Sequence, residues 1–165
     1  MARLLLAGGR GRRSRSRGRA RGSETQEAVE EFCGQLALLA ALNPRLRNEL
    51  GYTREVPFAQ RAGRQWRADV ALLHFDILIE VEGGIWQKNE EIEVKDGKPA
   101  RSGGRHNHPL GYEADCEKYS WASILGHTLV RGTTGMVYSG KLLELVVHAL
   151  RERHGLALNT EGLLG

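Results

Sequence analysis

The chain has little cysteine and no long apolar run. Cys33 and Cys116 are its two cysteines, and neither has the C-x-x-C spacing of a paired metal site. Two cysteines are too few for the disulfide framework of a small secreted domain, so we expect a reducing, cytoplasmic setting. No apolar run approaches the roughly 20 residues of a membrane span. The opening MARLLLAGG has four consecutive apolar residues, fewer than a signal peptide needs, so we expect none.

Acidic residues are absent before Glu24, whereas eight arginines precede it. The rest of the chain therefore has 16 basic and 20 acidic residues, a net charge of −4, so the pI of about 9.3 reflects the N-terminal segment. Residues 1–22 are rich in Gly, Arg and Ser, which predicts disorder because few side chains could offset the entropy of ordering. This segment is either a polycation that binds phosphates, with Arg12 and Arg13 as contacts, or a leader without a role.

Residues 23–155 suit a single folded domain, and residues 156–165 are predicted to form a frayed tail. Apolar spacing predicts a first helix that starts at Ser23, by a capping-box pattern, and ends near Asn43 and Pro44. It predicts a second helix over 112–126 and a third over 135–155.

Three stretches read as strands ahead of the second helix. Residues 52–59 predict a short edge strand, because Pro57 disfavours a central position in a sheet. WRADVALL and DILIEVEG are separated by little more than a turn near His74, which predicts two antiparallel strands. The polar, nonperiodic stretch 87–108 predicts a long loop, and HTLVRGT predicts a further strand. The order of elements is typical of a mixed α/β domain with a partly antiparallel sheet.

Two carboxylates interrupt an apolar strand in ILIEVEGGIW. Strand alternation places Glu80 and Glu82 on the same face, and Asp69 on the partner strand lies roughly opposite Glu80. Carboxylates that converge repel one another unless a cation lies among them, and Mg²⁺ binds such groups together with waters and phosphate oxygens. The pattern predicts metal-dependent phosphodiester chemistry, and the alternative is an acidic, solvated sheet face.

The ordered set of Asp69, IEVEGG, GRH, D-x-E-K and LVR resembles the PD-(D/E)XK nucleases, the restriction-endonuclease-like superfamily. The likeness covers residues 27–150 and is to a small branch similar to very-short-patch-repair endonucleases and phage or prophage endonucleases. It implies a restriction-endonuclease-like α/β fold, with a mixed β-sheet flanked by helices in a single domain. It also implies an endonuclease that cuts DNA with Mg²⁺, for which Mn²⁺ can substitute.

The resemblance assigns metal binding to Asp69, Glu80 and the backbone carbonyl of Val81. Glu82 stands where the superfamily most often has lysine, and a carboxylate cannot stabilise transition-state charge as an ammonium can. We expect Lys118, on the predicted second helix, to supply the missing cation. Glu82 would then help to position the metal or the attacking water.

The loop ahead of the second helix carries further candidates. Relatives similar to very-short-patch-repair enzymes use loop histidines close to the scissile phosphate. By that likeness His106 is either a general acid or a phosphate ligand beside Arg105, with His108 and Asp115 as other nucleic-acid contacts. A solvated loop histidine is the alternative for His106.

Two candidates come from other elements. Arg131 ends the strand HTLVR, where it either contacts phosphate or pairs with a site acid. The superfamily often adds an acid from its first helix, so Glu31 is a candidate metal ligand, although a solvated helix flank is the plainer interpretation.

The leading hypothesis is a metal-dependent endodeoxyribonuclease of phage-type repair or recombination, with DNA as its partner. A homodimer is the assembly to consider if both strands are cut. One alternative is an inactive DNA-binding module of the same fold, in which Glu82 marks lost catalysis. Another is an RNA-binding protein that acts through its Arg-rich segment.

Overall fold

The computed structural model describes residues 16–83, 94–95, 98–99 and 109–164, with side chains for 24–83 and 112–164. The strands are β1 (Thr53–Pro57), β2 (Arg67–Leu72), β3 (Ile77–Glu82), β4 (Val94–Lys95), β5 (Lys98–Pro99) and β6 (Thr128–Thr133). The helices are α1 (Ser16–Leu42), α2 (Pro109–Ile124), α3 (Thr134–Tyr138) and α4 (Lys141–His154). Within these described ranges, no helix has the length and apolar character to span a membrane.

A four-stranded sheet in the order β1-β2-β3-β6 forms the centre of the domain. β1 and β2 are antiparallel, as are β2 and β3, whereas β6 runs parallel to β3. The predicted antiparallel pair of strands is therefore confirmed, and so is the edge position of the strand that contains Pro57. The turn between β2 and β3 is a short 3₁₀ segment that ends at Asp76, whose φ is 52°.

The two faces of this sheet are covered by different helices. Ile77, Ile79 and Val81 of β3 belong to the main core, which residues of α1 and α4 complete. Leu78 belongs to a smaller cluster on the other face, together with Ala122 of α2. Strand alternation thus turns Leu78, Glu80 and Glu82 toward the α2 side. The chain is a mixed α/β domain with a mixed sheet flanked by helices.

The first helix begins earlier than the sequence predicts. Its backbone is helical from Ser16, so the predicted start at Ser23 is wrong. Arginine and alanine are good helix formers, and extending an existing helix avoids the cost of nucleation. The tertiary packing of residues 28–39 supplies that nucleus.

Two other predictions of secondary structure need correction. Residues 94–95 and 98–99 form a short antiparallel pair inside the stretch predicted to be a loop. Gly140, with φ of 75°, separates α3 from α4, where a single helix was predicted. Such a backbone conformation ends a helix and favours glycine.

The C-terminal residues pack on the domain instead of fraying. Leu158 is buried, and the side chain of Asn43 bonds to Asn159 twice. Its Nδ2 donates to the Asn159 carbonyl at 2.9 Å, and its Oδ1 accepts from the Asn159 backbone N–H at 2.8 Å. These bonds join the end of α1 to the C-terminus, so residues 156–164 belong to the folded unit.

Candidate active site

The carboxylates of β2 and β3 meet as the sequence predicts. Val70 pairs with Ile79 across the two strands, which places Asp69 beside Glu80. The Val81 backbone N–H donates to Oδ2 of Asp69 at 2.7 Å. Asp69 is therefore tied to the strand that carries the other two acids, close to where that strand ends.

Glu80 is a buried acid that faces a lysine from another element. Its residue is 7% exposed, and Nζ of Lys118 on α2 lies 2.6 Å from its Oε1. Burial raises the pKa of Glu80 from 4.5 to about 7, even though Lys118 acts to lower it. The cost of removing this carboxylate from water thus exceeds what the ammonium returns.

Oε1 of Glu80 is the oxygen that faces the Lys118 ammonium. This buried oxygen lies 2.6 Å from Nζ of Lys118, and that contact lowers the pKa of Glu80 against the effect of burial. A carboxylate oxygen has more than one lone pair, so it can accept a further positive group beside the ammonium.

The ionised form of Asp69 is also disfavoured by its surroundings. Burial raises the pKa of its carboxyl, while the Val81 N–H and the charge of Lys118 oppose that rise. The charges of Glu55, on β1, and Glu82 push this pKa upward as well. Acids of three adjacent strands therefore act on one another, and added positive charge would stabilise their ionised forms.

Glu82 belongs to a second group of contacts, formed with Tyr119 and Arg131. Its Oε1 accepts hydrogen bonds from the Tyr119 hydroxyl at 2.8 Å and from the Arg131 guanidinium at 2.9 Å. The guanidinium carbon also lies 3.6 Å from the centroid of the Tyr119 ring. Burial and the bond to Glu82 raise the pKa of Tyr119, which keeps its hydroxyl a donor. Of the two predicted roles for Arg131, the pair with a site acid is present.

The end of β3 lies directly against α1. A Cβ on Gly83 would be 2.1 Å from Oγ1 of Thr25, so a larger residue here would displace the threonine side chain or the strand end. Helix α1 therefore packs against β3, the strand that carries Glu80 and Glu82. This contact gives a packing reason for the first glycine of the sequence IEVEGG.

The donor set fits a hard divalent cation. Within the described ranges, no group of three His, Cys, Asp or Glu side chains is arranged to hold a metal. Mg²⁺ needs fewer, since it commonly uses one or two carboxylates with waters and phosphate oxygens as its other ligands. Asp69 and Glu80 are two such carboxylates, and the strand register places them side by side on one face of the sheet. The backbone carbonyl of Val81 as a third ligand stays a prediction.

Other predicted site residues are placed elsewhere or lie outside the described residues. Glu31 is exposed and accepts a hydrogen bond from Gln35 at 3.4 Å, so it lies on the solvated flank of α1. Asp115 is half-buried one turn before Tyr119 and acts on its pKa. The predictions that fall outside the described residues concern Arg12, Arg13, Arg105, His106 and His108.

Sequence reasoning missed Tyr119 and Thr25. Tyr119 lies within the predicted second helix, where no motif of the sequence singles out its hydroxyl. A usable signal was present, because Tyr119 is four residues after Asp115 and next to Lys118 on the same helix. Thr25 carries no comparable signal, since its contact with Gly83 is set by tertiary packing.

Comparisons with protein-family models, with curated proteins and with solved structures found no match to this chain.

Proposed function

We propose that this chain is a metal-dependent endonuclease that hydrolyses phosphodiester bonds in DNA, with a fold of the restriction-endonuclease type. The observation that carries the proposal is the convergence of Asp69, Glu80 and Lys118. The half-buried Asp69 and the buried Glu80 lie on adjacent strands and share one face, and an ammonium from α2 lies 2.6 Å from Glu80. The mixed sheet flanked by helices agrees with the proposed fold.

Each of these groups has a role in the proposed reaction. Asp69 and Glu80 would hold Mg²⁺, or Mn²⁺ in its place, and the bound cation would stabilise the ionised carboxylates that burial disfavours. The bound ion would supply a Lewis acid and lower the pKa of a coordinated water. Lys118 would stabilise the negative charge that develops on the phosphoryl oxygens during attack.

Glu82 occupies the position at which the superfamily motif usually has a lysine. Lys118 would supply the positive charge of that missing lysine. In the superfamily that the sequence resembles, that lysine is usually two residues after the second acid. Here the ammonium comes from α2, yet it reaches the same carboxylate from the α2 side of the sheet. A positive charge is thus available at the acids although the strand itself ends in a third acid.

A cleavage assay tests the proposal. Labelled linear, nicked, mismatched and four-way-junction DNAs are incubated with the full chain in Mg²⁺, Mn²⁺ or EDTA. We expect cleavage with either metal and none in EDTA. Asp69→Asn should abolish cleavage while keeping a similar shape, and Lys141→Met, which removes the exposed partner of Glu144, should retain it.

Metal binding is measured separately by calorimetry with Mn²⁺. Wild type should bind the ion, and Asp69→Asn should weaken binding at least ten-fold, because it removes one of two charged ligands. If wild type neither binds Mn²⁺ nor cuts any of the DNAs but still binds them, a DNA-binding module without catalysis replaces the nuclease. If residues 1–22 alone bind RNA and Asp69→Asn changes nothing, the Arg-rich segment carries the function.

A further inference from the structure

Arg131 stands on the same face of the sheet as the acids. It lies on β6, an edge strand of the four-stranded sheet, in register with Glu80 on β3. Residues in register on neighbouring strands point to the same side, so its side chain reaches toward the acidic cluster. Its guanidinium bonds to Glu82, which lies two residues beyond Glu80.

The position of this guanidinium is fixed in two ways. One N–H group bonds to Oε1 of Glu82, and the flat face of the guanidinium lies over the Tyr119 ring. Tyr119 in turn donates to the same Oε1, so all three groups restrain one another. Arginine suits such a place, because its planar cation can stack and donate along its edge at once, which lysine cannot do.

The guanidinium also faces outward. The Glu82 side chain is 12% exposed, whereas the Arg131 side chain is 41% exposed, so the arginine covers the carboxylate. A guanidinium has five N–H donors. Among the described residues, Glu82 accepts the one side-chain hydrogen bond that Arg131 donates. Donors therefore remain at the exposed edge of a cation whose orientation is already set.

The two cations that the described residues place on Glu80 and Glu82 differ in exposure. Lys118 contacts Glu80, and Arg131 contacts Glu82. Lys118 is engaged with Glu80 and is 17% exposed in its side chain, so Arg131 is the more accessible of the two. An incoming phosphate would therefore meet the guanidinium before the ammonium.

We propose that Arg131 binds a backbone phosphate of the DNA next to the phosphate that is cut, and that Glu82 and Tyr119 are positioning residues for it. This inference rests on the proposed nuclease function. Asp69 and Glu80 lie on β2 and β3, and Arg131 lies one strand farther on, an offset of about 4.8 Å. Glu82, at the usual lysine position, then has a role, because it orients the arginine that contacts the DNA phosphate.

Arg131→Gln and Arg131→Lys test this inference. Glutamine removes the charge, so KM should rise about ten-fold or more while kcat stays within about three-fold. In an Asp69→Asn background with EDTA, the slope of log affinity against log salt should become shallower by about 0.9, the value for one lost phosphate contact on duplex DNA. Lysine keeps the charge, so the slope should persist while KM still rises.

Arg64→Gln is the matched control. Arg64 forms an ion pair with Glu117 and lies over the Trp66 ring at 5.2 Å, so it has the same kinds of contact at another place on the surface. We expect Arg64→Gln to leave KM and the salt slope unchanged. Equal effects from Arg64→Gln and Arg131→Gln would mean a general charge effect and would overturn the assignment.

Variants of Tyr119 distinguish a positioning role for its ring from an effect of charge. Tyr119→Leu removes the ring beneath the guanidinium but leaves every charge in place, so KM should rise several-fold with an unchanged salt slope. Tyr119→Phe keeps the ring and should lie close to wild type. A purely structural role for Tyr119 would lower thermal stability without changing KM in the folded enzyme, and that result would contradict the proposal.

The remaining outcomes distinguish this inference from the nuclease proposal. If wild type cuts DNA and Arg131→Gln changes neither KM nor the salt slope, the Arg131 assignment is wrong and the nuclease stands. If wild type cuts nothing, the nuclease is wrong, and the salt slope of binding still decides whether Arg131 contacts phosphate. Should Arg131→Gln fail to fold, as seen by circular dichroism, Arg131→Lys supplies the KM readout.

Discussion

Lys118 and Glu80 form an ion pair between a helix and a central strand, with 2.6 Å between Nζ and Oε1. The pair is not balanced, because burial keeps the pKa of Glu80 at about 7 in spite of the lysine. Near neutral pH the carboxyl is therefore protonated in part of the molecules. A cation that binds beside it would shift the carboxyl to its ionised form.

Replacing Lys118 should affect both the rate and its pH dependence. Lys118→Met keeps most of the apolar length but removes the charge that lowers the pKa of Glu80. We expect kcat to fall about 10²- to 10³-fold, as when one transition-state donor is lost. The acid limb of the pH–rate profile should move to higher pH. Measurements of kcat between pH 6 and 9 check both results.

Lys141→Met serves as the control for this experiment, since it breaks an exposed ion pair on α4. It should leave kcat and the pH profile as in wild type. A Lys118→Met enzyme that cuts DNA at the wild-type rate would remove the lysine from the mechanism.

Glu80 should make the protein less stable as pH rises. The folded-state pKa is about 7, above the ordinary 4.5, so between these values the folded protein binds more protons than the unfolded chain. The free energy of unfolding of wild type therefore falls from pH 4.5 to 7, by about 3 kcal/mol at most for this group. Glu80→Gln cannot titrate and should show a weaker decline.

Urea unfolding at several pH values in EDTA measures these slopes, and the slope rather than the absolute stability is compared. Glu144→Gln is a control of opposite sign. The Lys141 ammonium holds the pKa of the exposed Glu144 below its usual value, so its contribution is present above pH 4.5 and is lost as pH falls. Parallel curves for wild type and Glu80→Gln would mean that folding does not raise the pKa of Glu80.

The strands and their acids were predictable because a strand alternates with a period of two. That period places Glu80 and Glu82 on one face, and a short turn after β2 then brings Asp69 opposite Glu80. Lys118 was predictable by likeness to a family motif and by its place on a helix after the hairpin. In the structure, Lys118 lies 2.6 Å from Glu80, and Asp69 accepts a hydrogen bond from the Val81 backbone N–H.

The features that the sequence did not predict depend on contacts between residues that are far apart in the chain. The position of Tyr119 against Glu82 and Arg131 joins three separate elements, and no local pattern encodes it. The C-terminus is similar, since its order depends on Asn43 at the far end of α1. Single-sequence patterns specify faces and periods, whereas these contacts follow from how elements meet.

Removing the arginine-rich residues should weaken DNA binding and its dependence on salt. Residues 1–15 contain five arginines, and residues 16–22, whose backbone is part of α1, contain three more. If they bind phosphates, deleting 1–15 should lower affinity and flatten the salt slope, and deleting 1–22 should do so further. Fluorescence anisotropy with duplex DNA at several salt concentrations measures both quantities.

The two deletions also need equal thermal stability, because only then does a change in affinity report lost charge. If both variants bind DNA with the affinity and salt slope of the full chain, the segment is a leader with no part in binding.

Gly83 should be a position at which one added methyl group disturbs the protein. In Gly83→Ala the new Cβ would lie 2.1 Å from Oγ1 of Thr25, so the threonine or the end of β3 must move. We expect a loss of about 1–3 kcal/mol in the free energy of unfolding, as in other overpacked sites. Gly34→Ala is the matched control, because nothing lies within 4 Å of its new Cβ, and it should stabilise α1 by about 0.5–1 kcal/mol.

Thr25→Ala tests whether the clash is the cause. The nearest oxygen is then gone, and the added Cβ meets the Cβ of residue 25 at 3.4 Å, an ordinary contact distance. Gly83→Ala should therefore cost clearly less in the Thr25→Ala background than in wild type, and a double-mutant cycle of urea unfolding measures that coupling. Because Gly83 directly follows Glu82, kcat should fall with Gly83→Ala and recover in the double variant. Equal costs in the two backgrounds would show that α1 and β3 do not meet through this pair.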